Sequence, residues 1–282
     1  MNKNIETFLS CDADYEEASA VLFGVPFDGT TSFRPGTRFG PPAIRSESFG
    51  IETYSPYSGR DLTDIQVFDG GDLELPFGNP ARVLQLTEEY TARLMADGKL
   101  PVMLGGEHLI TLGAVRAVQK AYPSLHVLHF DAHTDLRADY LGETLSHATV
   151  MRQVWKLVGD GRLHQFGIRS GERDEFAFAR AHTDLHPFTL ADFAAVLPAL
   201  AGVPVYVSLD LDVLDPSVFC GTGTPEAGGV SFTELLRAIL QLNKLRVVGC
   251  DINELSPHYD QSGTSTAVAC KLTREILLQI VK

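Results

Sequence analysis

Four short clusters in the 282-residue chain gather carboxylates and imidazoles: Gly105-Gly106-Glu107-His108, Asp131-Ala132-His133-Thr134-Asp135, Ser208-Leu209-Asp210-Leu211-Asp212 and Asp251-Ile252-Asn253-Glu254. Each follows directly on a short apolar run. In extended chain, side chains two and four residues apart point to one face, so Asp131, His133 and Asp135 can converge on one site, as can Asp210 and Asp212. Carboxylates crowded in this way repel one another unless divalent cations neutralise them. Oxygen-rich ligation with some imidazole favours Mn²⁺ over Zn²⁺, which prefers tetrahedral nitrogen and sulfur sites. His108, Asp131, His133, Asp135, Asp210 and Asp212 are too many ligands for one metal that must keep an open position. They suit two metals, about 3.5–4 Å apart, bridged by shared carboxylates and an activated water.

Taken singly, each cluster has a plainer explanation. An isolated Asp-x-Asp at a strand end is ordinarily a turn or a helix cap, and a lone histidine such as His108 is ordinarily a core or helix-start residue. Three such clusters at successive strand ends argue against that, because buried charges must be paired or metal-bound. His126, His129, His164, His182, His186 and His258 lack any supporting pattern and read as structural or surface residues. Cys220-Gly221-Thr222-Gly223 fails as a dinucleotide loop, lacking the third glycine and the strand–turn–helix context.

The elements that must position these clusters follow from hydrophobic pattern. Near-continuous apolar runs at 20–27, 65–68, 101–104, 125–130, 163–167, 203–210 and 245–252 read as strands covered on both faces. They alternate with segments of helical period, the pattern of a parallel sheet wrapped by helices. Asn79-Pro80 offers an N-cap and a first-turn proline for a helix whose face is Val83, Leu84, Leu86, Tyr90 and Leu94. Ser231 with Glu234 reads as a capping box, and a last helix is expected from about Ser265 onward. The Gly/Pro-rich stretches 30–42 and 220–229 follow strands and read as shaped loops, so residues 1–282 are expected to form one α/β domain. In open parallel sheets ligands bind at the carboxyl ends of the strands, which is where the four clusters fall.

Composition narrows the classes further. Lys plus Arg number 23 and Asp plus Glu 36, a formal charge of −13, with 44% hydrophobic and 21% charged residues. That excludes disorder as the main state. No apolar stretch approaches the ~18 residues needed to span a bilayer, so no membrane partner is expected. Residues 1–14 lack the basic-then-apolar layout of a secretory leader. Cys11, Cys220, Cys250 and Cys270 are scattered, as in a reduced cytoplasmic protein. The acidity argues against nucleic acid as a partner and is compatible with a small cation.

The chain resembles the ureohydrolases, the arginase–agmatinase family, over nearly its whole length. The carrying motifs are Gly-Gly-Glu-His ending at His108, the run Asp131 to Asp135, and the SLDLDVLDP stretch at 208–216. Supporting pieces are Phe27-Asp28-Gly29-Thr30-Thr31 with Arg34-Pro35-Gly36-Thr37, Gly221-Thr222-Gly223-Thr224-Pro225-Glu226, and DINELSP at 251–257. The resemblance implies a three-layer αβα sandwich on a central parallel sheet of about eight strands, and a homotrimer or homohexamer. It implies two Mn²⁺ per chain, one on His108, Asp131, Asp135 and Asp210, the other on Asp131, His133, Asp210 and Asp212.

The resemblance also implies cleavage of a guanidino compound to urea and an amine by a metal-bridging hydroxide. Glu254 would hold the guanidinium in a planar, bidentate pairing, and His147 would shuttle a proton to the leaving amine. His147-Ala148 stands where arginases carry His-Gly, and it suits the agmatinase branch, as does the stretch 253–260. The segment 136–140 lacks the asparagine with which arginases read the substrate's α-amino acid end. Asp139, Glu143 and the net acidity are expected to favour the far ammonium of agmatine, with Arg137 opposing. Agmatine, giving putrescine and urea in polyamine biosynthesis, is thus the expected substrate. Guanidinobutyrase, guanidinopropionase, formiminoglutamase and arginase activities are the alternatives within the class. Outside it stand a two-metal phosphoesterase, disfavoured because no Arg/Lys cluster adjoins the motifs, and a non-catalytic metal-binding relative, disfavoured because all six ligands are kept.

Overall fold

The seven apolar runs form seven of the eight parallel strands of one sheet. The computed structural model describes Met1 and residues 6–282, so part of the N-terminal stretch read above as lacking a leader lies outside the described residues. In chain order the strands are β1 (Ala20–Val25), the ribbon pair β2 (Tyr54–Ser55) and β3 (Arg60–Asp61), β4 (Val67–Asp72), β5 (Leu100–Gly105), β6 (His126–Phe130), β7 (Leu163–Ile168), β8 (Asp184–Pro187), β9 (Pro204–Asp210) and β10 (Arg246–Asn253). The large sheet has the order β4-β1-β5-β10-β9-β6-β7-β8, and its neighbours pair in parallel. The helices are α1 (Gly40–Glu47), α2 (Pro80–Ala96), α3 (Thr111–Ala121), α4 (Val150–Val158), α5 (Arg173–His182), α6 (Phe193–Val196), α7 (Phe232–Ile239) and α8 (Thr264–Ile280).

Alternation along each strand sends side chains into two separate cores, which is why the runs are apolar throughout. Leu22, Leu104, Leu128, Val207 and Ile252 face one layer, where Ile44 of α1, Leu235 of α7 and Leu272 and Ile276 of α8 cover them. Val21, Phe23, Met103, Val127 and Tyr206 face the other, covered by Val83 and Leu84 of α2, Val115 of α3 and Val154 of α4. The result is the expected αβα sandwich with eight parallel strands. Among the described residues no helix is long and apolar enough to cross a membrane, and the four cysteines are free.

Three local differences have physical reasons. Strand β8 was not anticipated: it is a four-residue, half-buried edge strand ending in Pro187, so it carries no apolar run. Strand β4 continues to Asp72 through Gly70 and Gly71, because edge pairing with β1 tolerates glycines that pattern reading takes for a turn. At α7 only half of the capping box forms. Ser231 Oγ accepts from the Glu234 amide at 3.2 Å, while the Glu234 carboxylate accepts instead from Thr189 Oγ1 at 2.7 Å and the Leu190 amide at 2.8 Å. The Asn79 cap of α2 forms as expected, Oδ1 accepting from the Arg82 amide at 3.0 Å, a device worth about 1 kcal/mol.

Candidate metal centre

Strands β5, β6, β9 and β10 lie side by side, so the four clusters leave the sheet at one place. Glycines make the close approach possible. A Cβ on Gly105 would stand 2.0 Å from Asn253 Oδ1, and one on Gly106 would stand 2.1 Å from the Phe27 carbonyl oxygen. Two residues of the site sit at unusual backbone angles: Asp135 at φ 53° and Glu254 at φ 68°, both left-handed. Strain of that kind persists only where surroundings enforce it, and it gathers at functional sites.

The six expected ligands come together in two adjoining groups. His108 Nδ1 lies 3.0 Å from Asp131 Oδ2, 3.1 Å from Asp135 Oδ2 and 3.4 Å from Asp210 Oδ2. His133 Nδ1 lies 3.4 Å from Asp131 Oδ1 and 3.1 Å from Asp212 Oδ2. Asp131 is therefore common to both groups, one oxygen facing each. Asp210 stands with the His108 group and turns Oδ1 to accept from the Asp212 amide at 2.9 Å.

The proton assignments show that these atoms are acceptors held open. Asp251 is ringed by donors, Tyr206 Oη at 2.7 Å on Oδ2 and Asn253 Nδ2 at 2.6 Å on Oδ1, so Ser208 Oγ likewise donates its proton to Asp251 Oδ1 at 2.7 Å. Ser208 Oγ is then left to accept from His108 Nε2 at 2.9 Å. A proton on Nε2 leaves the lone pair on Nδ1, aimed into the carboxylates. His108 Nδ1 and Asp212 Oδ2 are buried and make no hydrogen bond. An unpartnered buried acceptor is costly, by about 1–3 kcal/mol, unless something fills the gap. Two imidazoles and four carboxylates, one of them shared, fit a pair of divalent cations.

Electrostatics point the same way. Burial alone would lower His108, but Asp131, Asp135 and Asp210 override it and hold the imidazole well above its ordinary value. His133 is raised likewise, Asp212 and Asp131 overcoming burial. Burial and then the charge of Asp131 push Asp135 up to about 7. Burial, then Asp212 and Asp131, raise Asp210 well above the carboxylate range. The cluster demands positive charge, and protons supply it where cations do not.

Glu254 and His147 line the same cavity, which holds about 290 Å³. Glu254 Oε1 accepts from the His108 amide at 2.6 Å. Burial raises the Glu254 carboxyl well above its ordinary value. His147 opens the turn before α4, its amide donating to Thr30 Oγ1 at 3.1 Å and its Nε2 standing 3.3 Å from Ser32 Oγ. Its Nδ1 is buried and unpartnered, and burial lowers the imidazole to about 4.

Arginase-family sequences match residues 18–279. The chain belongs to the arginase family. An agmatinase of Bacillus subtilis (strain 168) is 47% identical over 98% of this chain and 97% of its own length. A guanidinobutyrase of Pseudomonas aeruginosa is 34% identical over 94% and 87%. The crystal structure of the agmatine ureohydrolase of Thermoplasma volcanium superposes with a TM-score of 0.90 at 35% identity, covering 98% of this chain and 94% of that one.

Within this arginase-family scaffold two sequence expectations need correcting. Asp139 and Glu143, expected near the substrate's far end, do not line the metal-bearing cavity. Residues 140–143 close on themselves, Tyr140 and Glu143 exchanging backbone hydrogen bonds of 2.8 and 3.0 Å around Leu141 at φ 55° and Gly142 at φ 85°. This is a tight hairpin turn with both central residues left-handed. Asp139 Oδ1 is used inside it, accepting from the Gly142 amide at 3.1 Å, and Glu143 faces a neighbouring depression. Besides Glu254 and the aspartates of the cluster, the carboxylates that line the cavity are Glu172 and Glu175, at the start of α5. The second correction is His129, read as structural or surface. It is fully buried, and its Nε2 lies 2.7 Å from Asp131 Oδ2. Its position two residues before Asp131 on one strand face was the available signal.

Proposed function

We propose that this protein is a binuclear-metal ureohydrolase that cleaves agmatine to putrescine and urea. Its metals are two Mn²⁺ held by His108, Asp131, His133, Asp135, Asp210 and Asp212. The oxygen-rich donor set supports that choice of ion. Bound cations there supply an electrophilic charge that lowers the pKa of water.

The chain's own residues do the rest. Glu254 receives the guanidinium. Oε1 already accepts from the His108 amide, which fixes the carboxylate plane and leaves Oε2 and a further lone pair for two coplanar N–H donors. His147, neutral at pH 7 with an ordinary value lowered to about 4, has Nδ1 free to take a proton and return it to the departing amine nitrogen. Ser32 Oγ at Nε2 holds the ring in place.

The observation that carries agmatine is the charge balance at the cavity's outer part. Arg137 lines it, but its guanidinium is engaged: Nη1 lies 3.1 Å from Glu172 and Nε 3.6 Å from Glu175, and the group lies 4.7 Å from the centre of the Tyr140 ring. One cation against two carboxylates leaves one negative charge. Glu175 spends its oxygens on Thr134, Leu136 and the Glu172 amide, whereas Glu172, 62% exposed, caps α5 and pairs with Arg137 but keeps open carboxylate surface to meet the distal ammonium. A substrate carboxylate, as in arginine or 4-guanidinobutyrate, would face repulsion. The agmatinase relative, 47% identical, supports the same choice. Family resemblance and scattered cysteines further support a single-domain cytoplasmic enzyme that assembles as a homotrimer or homohexamer.

Urea release from the Mn²⁺-loaded enzyme, measured across agmatine, arginine, 4-guanidinobutyrate and 3-guanidinopropionate, tests this reading. Agmatine is expected to exceed arginine by about 10²-fold or more in kcat/KM, the scale of one or two mispaired groups. Glu172→Gln narrows that gap, whereas Glu254→Gln depresses every substrate. Equal activity on arginine, or a preference for 4-guanidinobutyrate, refutes the assignment of the tail site.

A further inference from the structure

The geometry points to His129 and Gln165 as positioning residues that hold Asp131 in its bridging orientation, one oxygen to each metal site. This inference rests on the two-metal reading above.

The register of the sheet sets the pair face to face, since His129 of β6 and Gln165 of β7 are direct partners in the parallel ladder. Both are fully buried. Proton positions follow from one acceptor-only neighbour. The Thr134 carbonyl oxygen lies 2.9 Å from the Gln165 amide nitrogen and can only accept, so that end of the amide is the NH₂ group. The same nitrogen lies 3.1 Å from His129 Nδ1, which must therefore be the unprotonated ring nitrogen. A neutral imidazole then carries its proton on Nε2, which donates to Asp131 Oδ2 at 2.7 Å.

Asp131 is thereby tied at both oxygens. Oδ2 accepts from His129 Nε2, and Oδ1 accepts from the His133 amide at 2.5 Å. An ionised carboxylate offers about two lone pairs per oxygen. One on each is consumed by the protein, so one remains on Oδ2 toward the His108 group and one on Oδ1 toward the His133 group. Neither oxygen pair is free to swing and chelate a single ion. The relay reaches further along the same loop, because Gln165 grips the Thr134 carbonyl between His133 and Asp135. Without the His129 donor, the Asp131 carboxylate keeps only the His133 amide and can rotate about its Cβ–Cγ bond. The ion in the His108 group then loses a fixed ligand.

The test is Mn²⁺ titration of the metal-free protein, with stoichiometry and affinities read calorimetrically and the exchange coupling of the manganese pair read by electron paramagnetic resonance. The variants are His129→Asn and His129→Gln. Asparagine satisfies Gln165 but is too short to reach Asp131, whereas the glutamine amide reaches the place of Nε2. Wild type is expected to bind two ions with a coupled spectrum. His129→Asn should bind one of them ten- to a hundredfold more weakly, with the coupled signal replaced by that of an isolated ion, as is usual when a ligand's supporting partner is lost. His129→Gln should lie within about threefold of wild type and keep the coupling. Equal losses in both variants, or loss in neither, overturn the positioning role. Wild type binding fewer than two ions overturns the two-metal reading instead, whatever the variants do. Because both replacements are polar and smaller than or similar to histidine, thermal melting of each variant without metal separates misfolding from loss of the donor.

Discussion

Two clusters of histidine and aspartate sit at opposite edges of the same sheet, one past the carboxyl ends of its strands and one at the amino ends. At the carboxyl ends, His108, His133 and four aspartates face one another with His108 Nδ1 and Asp212 Oδ2 unpartnered. At the amino ends of β6, β7 and β8, His126, His164 and Asp184 form a closed chain, with His186 beside it. His164 Nδ1 donates to Asp184 Oδ2 at 2.7 Å, which leaves His164 Nε2 to accept from His126 Nδ1 at 2.9 Å, and His186 Nε2 stands 3.0 Å from Asp184 Oδ1. The second cluster has three imidazoles around one carboxylate: His126 and His164 hand their protons on toward Asp184, and His186 Nε2 lies beside Asp184 Oδ1 without a hydrogen bond. The first has four aspartates to two imidazoles, and its protons run outward to Ser208 and Asp251, leaving lone pairs inside. The same residue types thus make a metal centre or a self-contained network according to which way the protons point. Among the described residues, the groupings able to hold a metal all lie in the first cluster.

The sharpest way to break this comparison is to remove one carboxylate from each end. Asp131→Ala takes away the residue common to both metal groups, and elemental analysis should find both ions lost and urea release at background. Asp184→Ala should leave metal content and urea release unchanged. Two ions retained in the first variant, or metal lost from the second, would erase the distinction.

A smaller effect separates an open imidazole from a closed one. His147→Ala should keep both ions while kcat falls by about 10²–10⁴, the range for a positioned proton carrier. His164→Ala, which breaks a closed chain, should alter melting and leave kcat alone. Unchanged kcat in His147→Ala would return that residue to an ordinary loop histidine.

The grouping of Asp131, His133 and Asp135 was legible because its geometry is local. Asp131, His133 and Asp135 alternate within one segment that leaves a strand, and no distant register is needed to bring them together. The same holds for the sheet, since buried parallel strands announce themselves as apolar runs. His129 was only half legible: its place two residues before Asp131 on one strand face was in the sequence, but its proton assignment depends on Gln165, 36 residues away, across a ladder whose register neither segment reveals. Glu172 and Glu175 were missed for a similar reason, reaching the cavity from the start of α5. Asp139 misled because its loop turns through two left-handed residues, and charge composition carries no information about where a turn aims its side chains.

The smallest predicted effect concerns acid sensitivity of the closed cluster, where the shares of His126 and Asp184 fall in different pH windows. Burial, then the neighbouring His164 and Arg162, lowers His126 to about 4, against an unfolded histidine value of about 6.5. The folded state thus keeps His126 neutral where the unfolded chain takes up a proton. Its contribution to stability is complete above about pH 6.5 and is lost as pH falls toward 4. The hydrogen bond from His164 lowers Asp184 to about 2, so its contribution is complete above the unfolded carboxyl value of about 3.9 and fades only below that. Between pH 6.5 and 4, then, His126 contributes a fall in stability to which Asp184 adds nothing. Because the ring is only half buried, solvent screening cuts the full linkage value to the order of 1 kcal/mol. That corresponds to about 2–4 °C in a protein of this size. In Mn²⁺-loaded protein, which holds the carboxyl-end ligands in one state, the fall in Tm from pH 7 to pH 5 should therefore be smaller by about that amount in His126→Gln than in wild type. An identical fall in both proteins would mean that the closed chain does not hold His126 neutral, and that its protons are not arranged as the hydrogen bonds to His164 and Asp184 require.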